Sequence, residues 1–306
     1  MPTEKQLKKQ LQNGKMIESE AEMTEGYKKA LKRILLVSGD TELMSAPAYY
    51  DQSLNAPSID ARASCISVVQ DELGHGHIAY RLLEDLGEDR QELIYEREPH
   101  EFRNTYGFDQ HLENFAELVT AHGIFDRAGM VLLGDIYENT SYAPWKRALT
   151  KVEKEEQFHL RHGETWMRRL ANKSDKTHGR LQDAVDWMFP MGVEWFGMSD
   201  EQKRNTEQLD YRIKGKSNDE LRQDWLSRTL PLMEELELDV PAHYDEEADE
   251  YVLEYDMPVA FDQENKEWRF DEPISWDDVI DRWRNRGPAN EKYVNMIQSG
   301  EVSVQV

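Results

Sequence analysis

Apolar positions recur at helical spacing through most of residues 24–236, and this periodicity predicts a largely helical protein. A first helix is expected from about Thr24 to Met44, stopping near Pro47. A second opens around Ser58 and ends at Leu86, just before Gly87. A third covers about Asp109 to Asn139, and a fourth, with Pro144 in its first turn, reaches about Leu170. A fifth, from about Asp175 to Phe196, carries Pro190 and should kink or break there. A sixth begins at Ser217, where Ser-Asn-Asp-Glu forms a capping box.

Beyond about residue 236 the pattern changes. Tyr251–Tyr255 and Lys266–Phe270 are rich in aromatic and β-branched residues with turn residues between them, and they predict short strands. A last helix is expected from about Trp276 to Arg286, ending at Gly287. The expected organisation is therefore a helical domain over residues 1–236 and a small mixed α/β extension over 237–306.

Composition narrows the function classes. The 306 residues hold 61 Asp and Glu against 37 Lys and Arg, a net charge of −24. Nucleic acid is a poor partner for such a surface, because binding phosphates needs clustered cations. An acidic coat of this size suits a salt-rich cytoplasm. No apolar run is long enough to span a membrane, and the lysine-rich start lacks the apolar stretch of a secretory signal. The one cysteine, Cys65, cannot form a disulfide within the chain, and a cytoplasmic location is expected.

The candidate chemistry lies in two E-x-x-H motifs, Glu72 with His75 in the second helix and Glu156 with His159 in the fourth. Three residues turn a helix by about 300°, so each Glu and His share a face. Glu42 precedes Glu72 by 30 residues, and Asp126 precedes Glu156 by 30. A carboxylate helix followed by an E-x-x-H helix thus occurs twice at equal spacing. Two such pairs packed antiparallel would bring together four carboxylates and two imidazoles, a set that binds two iron or manganese ions in a four-helix bundle. Val68, Val69, Ala79 and Leu82 place an apolar stripe through the first motif. Carboxylates on such a face need cationic compensation. Asp71 and Glu155 each precede a ligand Glu and are placed to accept a hydrogen bond from the outward N–H of a ligand histidine. His77, His111, His122 and His162 follow no such pattern and read as structural or exposed, and the Trp and Met residues of 187–198 read as core.

These motifs carry a family resemblance. The stretch VQDELGHG from Val69 to Gly76, TSYAPW from Thr140 to Trp145 and KEEQFH from Lys154 to His159 resemble the oxygenase subunits of the ring-1,2-phenylacetyl-CoA epoxidase family. Trp195–Gly197, Ile213–Lys214, Ser217–Gln223 and Asn285–Gly287 match as well, so the resemblance runs from about Gly26 to Lys292. It implies a ferritin-like di-iron fold whose ligands here are Glu42, Glu72, His75, Asp126, Glu156 and His159. It implies epoxidation of the aromatic ring of phenylacetyl-CoA with O₂ and electrons that pass from NADPH through a reductase subunit. It further implies small subunits, a homologous subunit that has lost its metal site, and Arg33, Arg103 and Lys214 as contacts for the coenzyme A phosphates. The resemblance departs at Val68, where the family often has a lysine, and in a longer tail between about Pro241 and Asp278. The nearest enzymatic alternative is another aromatic acyl-CoA oxygenase of the benzoyl-CoA type. A metal-free structural partner subunit would not need both E-x-x-H motifs. A ribonucleotide reductase radical subunit would place a tyrosine where Ala79 stands, and a ferritin-type store would be shorter.

Overall fold

A computed structural model describes residues 2–203 and 206–299. Its elements in chain order are α1 (Glu4–Gln12), α2 (Glu25–Ser53), α3 (Ile59–Glu84), α4 (Phe115–Asn139), α5 (Ala143–Ala171), α6 (Asp175–Trp195), α7 (Glu207–Asp210), α8 (Asn218–Glu235), strands β1 (Ala242–Asp245), β2 (Glu250–Leu253), β3 (Val259–Asp262) and β4 (Glu267–Pro273), then α9 (Trp276–Asn285) and α10 (Asn290–Gln298). The class is all-α with a small mixed tail, as the sequence predicts. None of the described helices is long and apolar enough to cross a membrane. The chain divides into two compact units: residues 1–31 with 114–279, and residues 32–113 with 280 onward.

In the first unit α4 is central and packs against α5, α6 and α8. Every residue from Phe115 to Ala128 is buried, so α4 must be covered on all sides. It starts at Phe115 rather than near Asp109, because the Asn114 side chain accepts the backbone N–H groups of Ala116 and Glu117 and caps the helix there. Trp225 of α8 donates its indole N–H to the Ile124 carbonyl at 3.1 Å. Helix α6 runs through Pro190 without a break, since Trp187 to Glu194 are buried and tertiary packing holds the segment helical. The tail forms two antiparallel hairpins, β1–β2 and β3–β4. Only β2 and β4 overlap the expected strands. Gln223 of α8 extends the first hairpin: its amide donates to the Tyr251 carbonyl and accepts the Tyr251 N–H, at 2.8 and 2.9 Å. The second hairpin sets Lys266 against the buried Glu117 of α4 at 3.0 Å. At the start of the chain, α1 buries Leu7 and Leu11, one turn apart, and caps itself with Thr3 and Gln6.

In the second unit α2 and α3 are the long elements. Ser58 caps α3 as expected, and Gly87, at φ +86°, follows its end. Helix α2 does not stop at Pro47 but runs to Ser53. Proline costs a helix interior about 3 kcal/mol. The burial of Ala46, Ala48 and Tyr49, with the Tyr49 ring edge-on to Phe108 at 5.5 Å, offsets that cost. Helix α10, which the sequence pattern did not reveal, packs on the short turns at 92–96 and 99–101. Asp109 anchors the end of the chain: its carboxylate meets the Arg286 guanidinium and accepts from Asn290 at 3.1 Å and the Gly287 N–H at 3.2 Å.

Candidate metal centre

The helices of the second unit carry Glu42 on α2 and Glu72 and His75 on α3. Their side chains face the interior. Glu72 and His75 are each 3% exposed, and the Glu42 side chain keeps only 12%. His75 Nδ1 lies 3.5 Å from Glu42 Oε2, so the carboxylate of one helix meets the imidazole of the next. The flanking Val68, Val69, Ala79 and Leu82 are buried, as the apolar stripe requires.

Small residues permit this approach. A Cβ on Gly39 would sit 3.1 Å from the Ala79 methyl. One on Gly76 would sit 3.3 Å from the Gly39 carbonyl and the Leu43 nitrogen. Backbone therefore meets backbone beside His75. Asp40, fully buried two residues before Glu42, accepts from Arg97 through both guanidinium nitrogens, from the Tyr80 phenol at 2.6 Å and from the Arg103 N–H at 2.6 Å. Burial, and next the Asp40 charge, push the Tyr80 phenol well above its ordinary value.

In the first unit the Glu–His contact lies along one helix rather than between two. Glu156 and His159 lie on α5, with Oε2 and Nδ1 3.7 Å apart, and are 4% and 0% exposed. Asp126 on α4 is 6% exposed. Between the two motif positions, Gln157 and Phe158 point to solvent. The repeat extends to the crossing: Gly123 stands three residues before Asp126, as Gly39 does before Glu42. A Cβ on Gly163 would lie 2.8 Å from the Gly123 nitrogen and 2.7 Å from the His122 Cβ. The pairs Gly39 with Ala79 and Gly123 with Gly163 share one separation, 40 residues, and are two copies of one helix contact. A buried pair, His122 and His162, joins α4 and α5 through Nδ1 atoms 3.2 Å apart. Burial, with a neighbouring histidine second, drives His122 well below its ordinary value and His162 down to about 4, so both are neutral at pH 7.

The other sequence candidates lie as follows. Asp71 is half-buried on α3. Glu155 forms an i,i+4 ion pair with the exposed Lys151 at 2.6 Å. Arg33 is exposed on α2. Arg103 is exposed, with Nη1 donating to the His100 carbonyl at 3.0 Å. Lys214 is 4% exposed and donates to Asn218 Oδ1 at 3.1 Å, where Lys203 also donates at 2.8 Å. Burial, then the Lys203 charge, bring the Lys214 ammonium down to about 8. Asp40, Arg97 and the crossing glycines did not emerge from sequence reasoning. Their one legible signal was the shared spacing of the glycines with the carboxylates.

The donor set fits a divalent metal. Each unit presents two carboxylates and one imidazole on an apolar face, oxygen and nitrogen donors suited to iron or manganese. Within each unit Glu and His offer ligand atoms within 4.8 Å of one another. Anionic carboxylates buried to this degree are costly unless a cation balances them.

The chain belongs to the phenylacetic acid catabolic protein family, which it matches over residues 6–268. Among its relatives is the A subunit of 1,2-phenylacetyl-CoA epoxidase from Escherichia coli (strain K12). The two are 28% identical over 293 residues, 95% of this chain and 90% of that relative. The chain is also similar to the C subunit of the same organism's enzyme, at 25% identity over 161 residues, 52% of this chain and 64% of that relative. The ferritin-like helical class expected from the sequence stands with this membership.

Proposed function

We propose that the chain is the oxygenase subunit of an aromatic acyl-CoA epoxidase acting on phenylacetyl-CoA in phenylacetate catabolism. In this reading Glu42, Glu72, His75, Asp126, Glu156 and His159 together ligate a pair of iron ions. The observation that carries the reading is a carboxylate beside a buried histidine in each unit, Glu42 and His75 across two helices at 3.5 Å and Glu156 and His159 along one helix at 3.7 Å, within a doubly repeated spacing. The likeness over 95% of the chain to the A subunit of the bacterial epoxidase supports it further.

The metal pair, when bound, supplies the reduction of O₂, one oxygen atom going to the ring and the other leaving as water. The protein's own residues do the rest. The carboxylates balance the ions' charge, and the imidazoles hold them at fixed positions. Val68, Val69 and Ala79 keep the neighbourhood dry. Arg33, Arg103 and Lys214 hold the coenzyme A phosphates. Lys214 suits an anion site because burial leaves its charge poorly compensated until a phosphate arrives. Electrons come from NADPH through a separate reductase. A homologous non-catalytic subunit and small subunits complete the assembly, in the cytoplasm.

Co-purification from the native host, followed by metal analysis and acyl-CoA turnover, tests this. About two irons per chain are expected, lost in Glu72→Ala and His159→Ala. Manganese in their place would change the metal but keep the ligands. Turnover should favour phenylacetyl-CoA over benzoyl-CoA, and Lys214→Ala should raise KM for the thioester. Full metal content and activity in the Glu72 and His159 variants would overturn the assignment.

A further inference from the structure

We propose that Ser45 is a positioning residue that holds the Glu72 carboxylate in its ligating orientation, an inference that rests on the metal-binding reading above. Ser45 lies on α2 one turn after Glu42 and is 1% exposed. Its hydroxyl sits between two acceptors, the Glu42 carbonyl at 2.7 Å and Glu72 Oε2 at 2.5 Å. The second distance falls in the range of a charge-assisted O–H···O⁻ bond. One side chain therefore touches the backbone of one ligand and the carboxylate of another, on two different helices. The fork limits the rotamers of Glu72, and such a donor beside a ligand is worth about 10–100-fold in metal affinity in comparable sites.

The repeat does not duplicate Ser45. The position that corresponds to Ser45 in the repeat is Gly129, 84 residues on, just as Asp126 stands 84 residues after Glu42. Gly129 has no side chain to donate. Glu156 borders a cavity of about 140 Å³ lined with Glu153, Asp135, Lys216 and Arg228 among others. Loss of the Ser45 hydroxyl therefore acts directly on Glu72 and not on Glu156.

The test uses the full chain in its native complex, stripped with chelator and titrated with Co²⁺, with binding and the visible d–d spectrum as readouts. Ser45→Ala should weaken one of two binding steps by about 10–100-fold and shift the associated bands. Ser45→Thr, which keeps the hydroxyl, should restore both. Alanine is the better helix former, so weakening of α2 is not the cause of a loss. Unchanged affinity and spectrum in Ser45→Ala overturn the assignment, as does equal weakening of both steps that Ser45→Thr fails to restore. Wild-type chain that binds no Co²⁺ removes the metal centre itself, and this role of Ser45 with it. That result is distinct from normal wild-type binding with an indifferent Ser45→Ala.

Discussion

Arg97 and Asp40 form a buried two-pronged ion pair, with Nη2 2.5 Å from Oδ1 and Nη1 3.0 Å from Oδ2. The arginine comes from the loop after α3 and the aspartate from α2, two residues before Glu42. Removing the guanidinium would leave Asp40 charged, fully buried and short of two donors. Arg97→Ala should therefore cost about 3–5 kcal/mol. Arg97→Lys should recover part of this, because an ammonium cannot present two parallel N–H groups. Chemical denaturation of the three proteins measures the difference. Equal stability would show that the pair does not hold this segment.

The α4–α5 crossing predicts a sharp glycine contrast. A Cβ on Gly163 would lie 2.7 and 2.8 Å from His122 and Gly123 atoms, closer than carbon tolerates. Gly163→Ala should force the helices apart at a cost of about 1–3 kcal/mol. A Cβ on Gly179 of α6 would meet nothing within 4 Å. Gly179→Ala should be neutral or stabilising by up to about 1 kcal/mol. Melting temperatures of the two variants should move in opposite directions or differ by several degrees.

His162 makes acid stability a readout of the same crossing. Its folded value of about 4 lies below the ordinary 6.5, because burial disfavours the charged ring. Below pH 6.5 the unfolded chain takes up a proton that the folded chain does not, so stability falls as pH drops from 6.5 to about 4 and then levels off. The contribution is roughly 3 kcal/mol, from about 1.36 kcal/mol per pH unit. His162→Gln should make this window shallower, with the depressed His122 keeping its own share, measured by denaturation with chelator present so that metal release adds nothing. An unchanged slope would place the acid sensitivity elsewhere.

Much of the candidate site was legible in the chain's own pattern. The E-x-x-H spacing fixes which side chains share a helix face, a local property of about 3.6 residues per turn. The equal 30-residue separations made the repeat visible. Prolines were the weak point. Pro47 and Pro190 read as helix ends, yet both lie inside helices, because burial around them outweighs a local penalty that sequence alone makes look decisive. The start of α4 was misplaced for a related reason: Asp109 looked like a helix opener but is spent on Arg286, Asn290 and Gly287, far away in the chain.

By itself the chain determined the helical class, the repeated carboxylate and E-x-x-H pattern and the acidic character, all of which depend on residue type and short-range periodicity. Only the tertiary structure decided how each half is held: the Ser45 hydroxyl on Glu72, the Arg97 clasp on Asp40, and the glycine crossings beside the candidate ligands. These contacts join residues 27 to 57 positions apart. Such pairings depend on interhelical distances of a few tenths of an ångström, and no local pattern encodes them.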